Sequence, residues 1–400
     1  MKQLFTKAVN AVAEVCGIWM NETRALFKDE GMLLFALLLP LAYPVLYSWI
    51  YNNEVVHEVP VAVVDHSHSA MSREFIQRCD ASPDVRVAYH CSDMEEARNL
   101  VGHQVVYGIL YFPEDFAQRL NRMEQSTVGV YCHMGLMLTY KAIYQTATAV
   151  SSDMNANIQT ALSGHYTARE EEIASRPLDF DEVAMFNSTG GYGNFILPGV
   201  LVLIVQQVLL LCLGLTGGTL RENGGFAQFL PTFDRRLGTL RVVAGRSFCY
   251  LLIFAVMTAY ILLAVPRMFH FVHILYIADF LRFALPYLLA CTFFAITVSA
   301  LVSKRENVML LVVFTSVPLL FLSGISWPGS NIPEGWRLLS YVFPSTFGIQ
   351  GFVKMNTTGA LFADILPEVR ALWLQVAVYF TTACLVQRWQ IRTALGREKK

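Results

Sequence analysis

The 400-residue sequence predicts a polytopic α-helical membrane protein: six transmembrane helices, an N-terminal interfacial helix and an α/β extracytoplasmic domain. Three observations predict it. Long apolar runs recur six times along the chain. A mostly polar stretch, residues 53–190, separates the first run from the second. Lys and Arg are unevenly shared between the connecting segments. A mean hydropathy of +0.44, with 54% hydrophobic and 15% charged residues, suits such a protein and excludes most soluble functions.

Residues 1–30 form the first element. Val9, Val12, Cys16, Trp19, Met20, Thr23, Leu26 and Phe27 recur at helical spacing, with Asn10, Glu14, Asn21 and Arg24 mostly opposite. Such a helix would lie in the membrane plane on the cytoplasmic side; packing on a partner is the plainer alternative. Residues 31–52 follow as transmembrane helix 1, with no charge between Gly31 and Tyr51. A crossing of about 30 Å of hydrocarbon takes roughly 20 apolar residues. No small-residue cleavage site follows, so this helix reads as an uncleaved signal anchor. Residues 191–390 form the transmembrane domain, with helices 2–6 over 194–220, 247–266, 283–302, 307–326 and 371–388. Residues 391–400 are a cytoplasmic tail.

Charge sets the orientation. Met1–Glu30, Gly218–Arg246, Ser303–Glu306 and Arg388–Lys400 hold 16 Lys/Arg in 76 residues. Pro266–Arg282 and Ile325–Arg370 hold 5 in 63. The richer side is cytoplasmic by the positive-inside rule. Both termini then lie inside, which six crossings require. The long insert lies outside, with 9 basic and 19 acidic residues.

Within the insert, Val59–Asp65, Val85–His90, Val105–Phe112 and Thr127–Cys132 are strand-like. Ala70–Cys79, Asp93–Val101 and Leu136–Leu162 are helical in pattern. Alternation of the two predicts a small α/β sandwich with a modest core of its own. Glu170–Asp181 is an acidic connector back to the membrane. Three of the eight cysteines, Cys79, Cys91 and Cys132, lie in this domain. They allow one bridge, with Cys79–Cys91 nearest in sequence, or three buried free thiols. His66 and His68 could touch a metal, but at this spacing they read as turn residues, and no metal site is expected.

Chemistry-bearing motifs are absent. No G-x-x-x-x-G-K-[ST] occurs, so the chain hydrolyses no ATP through a P-loop. Neither H-E-x-x-H nor G-x-S-x-G occurs. No catalytic residue, bound cofactor or nucleic-acid site is expected. The spans carry no deep carboxylate or His of the kind that ion-coupled carriers keep. Their polar residues include Gln206, Gln207, Thr292, Thr297, Thr315 and Ser316. Any transport would draw its energy from another subunit.

Two connecting segments stand out. Gly217–Arg246 enters on Arg221 and Glu222, continues through an amphipathic piece (Gly225–Leu230), breaks at Pro231 and returns with basic residues. Phe226 and Phe229 read as exposed aromatics on a lever that can dock into a cytosolic motor; a simple surface loop obeying the positive-inside rule is the alternative, which explains the arginines but not the aromatics. The second segment, 321–352, carries Gly324, Pro328, Pro333, Trp336 and Pro344. Such punctuation stops a helix from continuing straight through. It predicts a re-entrant outer segment beside a pathway or subunit interface, since non-helical backbone at membrane depth needs protein or a polar cavity around it. An aromatic-belted outer loop is the alternative.

The order of these parts resembles the ABC-2-type exporter permeases, in the branch with a large extracytoplasmic domain between spans 1 and 2. Val59–Ser72, Val105–Leu120 and Phe186–Val200 resemble that branch's opening strand, its strand-Pro-acidic-Phe block and its entry to span 2. Leu220–Phe229 resembles the coupling loop, Gly245-Arg246 the Gly-Lys/Arg position before span 3, and Leu322–Pro344 the Ser-Gly…Pro…Ile-Pro…Trp…Pro stretch. In this chain Gln228 stands where the loop usually has a second acidic residue.

The resemblance implies a half-transporter exporting an amphipathic or lipophilic substrate, with multidrug-type efflux among the expectations. Two permease chains, identical or paralogous, would enclose the pathway. ATP and Mg would enter through two copies of a separate ABC ATP-binding subunit, gripped through Arg221, Glu222, Phe226 and Phe229. Gln206, Gln207, Thr315 and Ser316 would lie at the permease seam or pathway, or simply hydrogen-bond between helices. A bacterial inner membrane, surrounding lipid and a periplasmic adaptor belong to the same expectation. The alternative is a phage-receptor-like or envelope-secretion protein of this architecture that acts without an ATPase.

Overall fold

A computed structural model describes residues 2–53, 55–122, 124–163, 186–187, 191–233, 237–302 and 304–398. The chain divides into two compact units, Val55–Val183 and the remainder. The expected acidic connector Glu170–Asp181, and Arg235 and Arg236 at the loop's return, lie outside the described residues.

The inserted unit is built on a four-stranded sheet of β1 (Val59–Asp65), β2 (Val85–Cys91), β3 (Gly108–Phe112) and β4 (Gly129–Cys132), ordered β2-β1-β3-β4. β1 runs parallel to both neighbours, while β3 and β4 are antiparallel. Parallel strands buried on both faces read as continuous apolar runs, and β1, Val-Pro-Val-Ala-Val-Val, is one. One face packs Val61, Val63 and Leu110 against Phe75 and Ile143 of the helices Ala70–Asp80 and Met137–Ser163. The other packs Ala62, Val64 and Ile109 against Ala97 of the helix Met94–Gly102. Cys79 belongs to the first face and Cys91 to the second, so the sheet separates the two sulfurs, and both are free thiols. A short helix, Phe116–Asn121, adds an element that the sequence pattern does not announce.

The second unit is helical. Among the described residues six helices are long and apolar enough to cross a membrane: Glu30–Tyr51, Tyr192–Glu222, Gly238–Met268, Ile277–Ser299, Arg305–Leu322 and Leu366–Ala394. They are called here the first to sixth spans. The second is the hub, with 94% of its apolar window buried against 11% for the fifth. It packs on the fourth and fifth spans, the first span and the helix Pro344–Thr358.

Several helices outrun their apolar cores. The third begins at Gly238, because Gly238–Arg246 buries Val242, Val243 and Arg246 although it is only half apolar. The sixth continues as a helix to Glu398. The fifth ends at Leu322, before Gly324 with φ of +87°. Single π-turns interrupt the first span at Leu34–Leu38 and the third at Tyr260–Ala264. Pro40 and Pro266 follow these turns and lack the N–H that would bond the carbonyl four residues earlier.

The N-terminal helix Lys2–Lys28 presents two faces. Ile18, Glu22 and Leu26 are buried, and the helix packs along the third span. Gly245 makes that approach feasible, since a Cβ there would meet Ile18 at 2.8 Å. Val9, Val12, Met20 and Phe27 remain exposed.

Candidate functional site

The described part of the connection between the second and third spans, up to Phe233, is tightly built. Gly224, with φ of +66°, turns the chain after Asn223 and leads into a 3-10 turn over Gly225–Phe229. Phe226 and Phe229 are 4% and 5% exposed, which corrects the expectation of exposed aromatics. They pack with Ile18, Val242 and Ile391, from the N-terminal helix and the third and sixth spans. The cause is that helices from both ends of the chain converge over the loop and take up its apolar face. Glu222, Asn223, Gly224 and Gln228 form its exposed side.

Arg221 and Glu222 grip the turn between the fourth and fifth spans from consecutive positions. Arg221 donates to the carbonyl of Val302, just past the fourth span's end. Glu222 accepts from the backbone N–H of Arg305 at 2.9 Å, at the fifth span's N-terminus. Each charge thus meets the helix end of opposite partial charge. Arg305 in turn forks onto Asp29 with contacts of 2.7 and 2.9 Å, joining the starts of the first and fifth spans. The hydrogen bond from Arg305 holds the Asp29 carboxyl below its ordinary range, against a smaller opposing effect of burial.

Glu22 and Arg246 form an ion pair, at 6% and 1% exposure. The Arg246 guanidinium also lies 5.9 Å from the ring centre of Phe229. The basic side chain after Gly245 was legible in the sequence as a motif position; Glu22, its partner, was not.

The four polar residues expected at the seam part company. Gln207 donates to Thr315 at 3.3 Å, linking the second and fifth spans. Ser316 lines the same cleft as Gln207. Gln206 turns away: its carbonyl accepts from the backbone N–H of Ser345 at 2.6 Å, at the start of the helix Pro344–Thr358. Gln206 Nε2 and Gln207 Oε1 are buried without a hydrogen-bond partner among the described residues.

The cleft measures about 520 Å³ and runs between the first, second and fifth spans. Its walls are apolar apart from Gln207, Ser316 and Tyr43, Tyr47 and Tyr51 of the first span. Sequence reasoning missed the tyrosines. Their i, i+4 spacing was the available signal.

In the segment 321–352, Gly324 breaks the chain and Pro328 precedes the 3-10 turn Gly329–Asn331. Pro333 caps the helix Glu334–Ser340, on which Trp336 is 57% exposed. Pro344 opens a second, largely buried helix, Pro344–Thr358. Gly348 and Gly351 let that helix lie against Tyr287 and Phe283 of the fourth span, where a Cβ would meet ring carbons at 2.4 and 2.7 Å. In the inserted unit His66 hydrogen-bonds the Ser92 carbonyl at 3.2 Å. Among the described residues no group of three His, Cys, Asp or Glu could hold a metal.

Six helices among the described residues long and apolar enough to cross a membrane, an apolar cleft between three of them and a latched loop at one end are the build of a membrane transport subunit. The chain belongs to the ABC-2 family transporter proteins, whose profile matches residues 31–385. It is similar to the "Probable multidrug ABC transporter permease YbhR" of Escherichia coli strain K12, at 21% identity over 338 residues, covering 81% of this chain and 84% of that one. The protein of the same name from Escherichia coli O157:H7 matches equally. The chain is therefore an ABC permease subunit in a membrane it crosses several times, and the family implies an ATP-binding subunit as its partner.

Proposed function

We propose that this chain is one half of an ATP-driven exporter for amphipathic or lipophilic compounds, with the cleft beside Gln207 and Ser316 on the substrate's path. The observation that carries this is the cleft itself: an apolar groove in the membrane unit lined by Gln207, whose Oε1 is buried without a hydrogen-bond partner among the described residues. Buried polar atoms are nearly always satisfied, so an unpaired one facing a groove marks a place for a ligand.

In this reading a second permease chain, identical or paralogous, meets the first along the fifth span, near Thr315 and Ser316, while the second span, expected at the seam, is covered by its own chain. The sparsely buried fifth span supports that placement. Two ATP-binding subunits sit below, both termini are cytoplasmic, and the inserted domain faces outward. Residues 321–352 line the outer end of the pathway as a re-entrant segment. The membrane is the bacterial inner membrane, and an outward-facing domain can also meet a periplasmic adaptor.

The coupling surface is the exposed side of the loop, Glu222, Asn223 and Gln228, with Phe226 and Phe229 serving as its internal support. Movement imposed on the loop then reaches the N-terminal helix through Phe229, Arg246 and Glu22, and the fourth and fifth spans through Arg221 and Glu222. The test is ATP turnover and substrate efflux in proteoliposomes holding the permease with its ATPase. Asn223→Trp together with Gln228→Arg should leave the permease folded but cut substrate-stimulated turnover about tenfold or more, as expected when a central interface contact is lost. Unchanged turnover and unchanged copurification of the ATPase would overturn the coupling assignment. They would favour a role of this architecture without an ATPase.

A further inference from the structure

Tyr43, Tyr47 and Tyr51 stand four residues apart on one face of the first span and line the cleft. Tyr43 and Tyr47 rings lie 4.7 Å apart, Tyr47 and Tyr51 rings 6.2 Å apart. The column continues through Tyr192, 5.8 Å from Tyr51, at the start of the second span. Aromatic faces are electron-rich and attract cations, most strongly where water is excluded.

Two hydroxyls of the cleft point the same way. Tyr43 donates its hydroxyl proton to Tyr47 at 3.1 Å, and Ser316 donates its own to the Val312 carbonyl at 2.6 Å. Both oxygens then offer the cleft only lone pairs. Gln207 donates to Thr315, which leaves its carbonyl oxygen as a buried, unpartnered acceptor. The lining holds no Lys, Arg or His, so no positive charge there pairs with an anion, and the Tyr47 and Tyr51 hydroxyls are its remaining neutral donors. It holds no Asp or Glu either, so nothing offsets the dehydration of a small, concentrated cation. A cation whose charge is spread over aromatic rings has little hydration to lose, and it matches both the ring faces and the apolar walls.

We propose that the tyrosine column and Gln207 make this cleft selective for lipophilic aromatic cations. The inference rests on the substrate-path reading above and names the substrate class. Tyr47 supplies the central ring face, Tyr43 and Tyr51 flank it, and the Gln207 carbonyl dipole faces the charge. A lipid chain or a helix of a second permease chain, the competing occupants, would show no preference for positive charge.

The test is saturable binding to the full-length permease in nanodiscs, with uptake by empty nanodiscs subtracted. Three probes of similar bulk are compared: tetraphenylphosphonium, tetraphenylborate and neutral triphenylphosphine oxide. Tetraphenylphosphonium should bind about tenfold or more tightly than either of the others. Tyr47→Leu should weaken it about tenfold, Gln207→Leu severalfold, and Tyr47→Phe, which keeps the ring face, less than about threefold. Only variants that elute as monodisperse protein are compared, and Tyr43→Leu, at an exposed ring, replaces any that do not. Equal binding of cation and anion, or indifference of the cation to loss of the rings, overturns the proposal. Ser316→Trp, which fills the cleft, separates the two levels of inference. If it abolishes binding of all three probes and they bind equally, the cleft stands and its charge preference falls. If it changes nothing, both fall.

Discussion

Arg246 and Glu22 form an ion pair at the junction of the third span and the N-terminal helix, with both side chains nearly removed from solvent. Breaking such a pair from one side leaves a buried charge uncompensated and costs about 3–5 kcal/mol, whereas replacing both partners with apolar residues is often neutral. Glu22→Ala should therefore lower the melting temperature of the purified permease sharply. Glu22→Leu combined with Arg246→Met should recover most of the loss. A single variant as stable as the wild type would show that the pair does not hold the helix to the span.

The Asp29–Arg305 fork predicts an acid-sensitive contribution to stability. The folded-state carboxyl titrates below its ordinary range, so the unfolded chain takes up the proton first. The contribution is complete above the usual carboxylate range and fades as pH falls through and below it. Melting curves in detergent across that range should show a shallower acid limb for Asp29→Asn than for the wild type. Identical limbs would mean that the fork is not maintained in solution.

Sidedness can be read with single cysteines in a background lacking Cys16, which is itself exposed. A membrane-impermeant thiol reagent added to intact spheroplasts should label Arg98→Cys, in the inserted domain, and spare Arg392→Cys, on the sixth helix; both positions are exposed. Labelling in the reverse pattern would invert the proposed topology.

The inserted domain should fold alone, because it owns two apolar clusters, one on each face of its sheet. Expressed in an oxidising compartment, residues 55–163 should melt cooperatively and show mixed helix–strand circular dichroism. No Cys79–Cys91 bridge should form, since the sheet lies between the two thiols. Burial pushes the Cys79 thiol up to about 12, so alkylation of the native domain at neutral pH should spare it. A bridged species by mass, or an unfolded spectrum, would contradict this.

Much of the architecture was legible in the sequence. The spans announce themselves because hydrocarbon tolerates so few polar residues. The strands do so because β1 is buried on both faces and must be apolar throughout. What hydropathy could not give was where helices end, since Gly238–Arg246 is held by contacts rather than by composition. The helix Pro344–Thr358 was hidden by its glycines, which read as breakers although Gly348 and Gly351 are there to admit Tyr287 and Phe283.

The site was legible by residue type but not by partnership. Gln207, Thr315 and Ser316 were identifiable as rare polar groups in apolar runs, and the structure brings them to one place. Phe226 and Phe229 were identifiable as aromatic, but their burial depends on Ile18 and Ile391, far away in both directions along the chain. Glu22 looked like one more charge on an amphipathic helix, and only the fold shows what it faces.

The latch formed by Arg221 and Glu222 also bears on how the protein is made. This dipeptide leaves the ribosome well before Val302 and Arg305, the residues it grips. Its two charges must wait at the membrane surface until the fourth and fifth helices have been inserted as a hairpin. A chain interrupted before that hairpin would leave both charges without their helix ends. The latch can therefore close only once that hairpin is in place, which makes it a late contact of the folded chain.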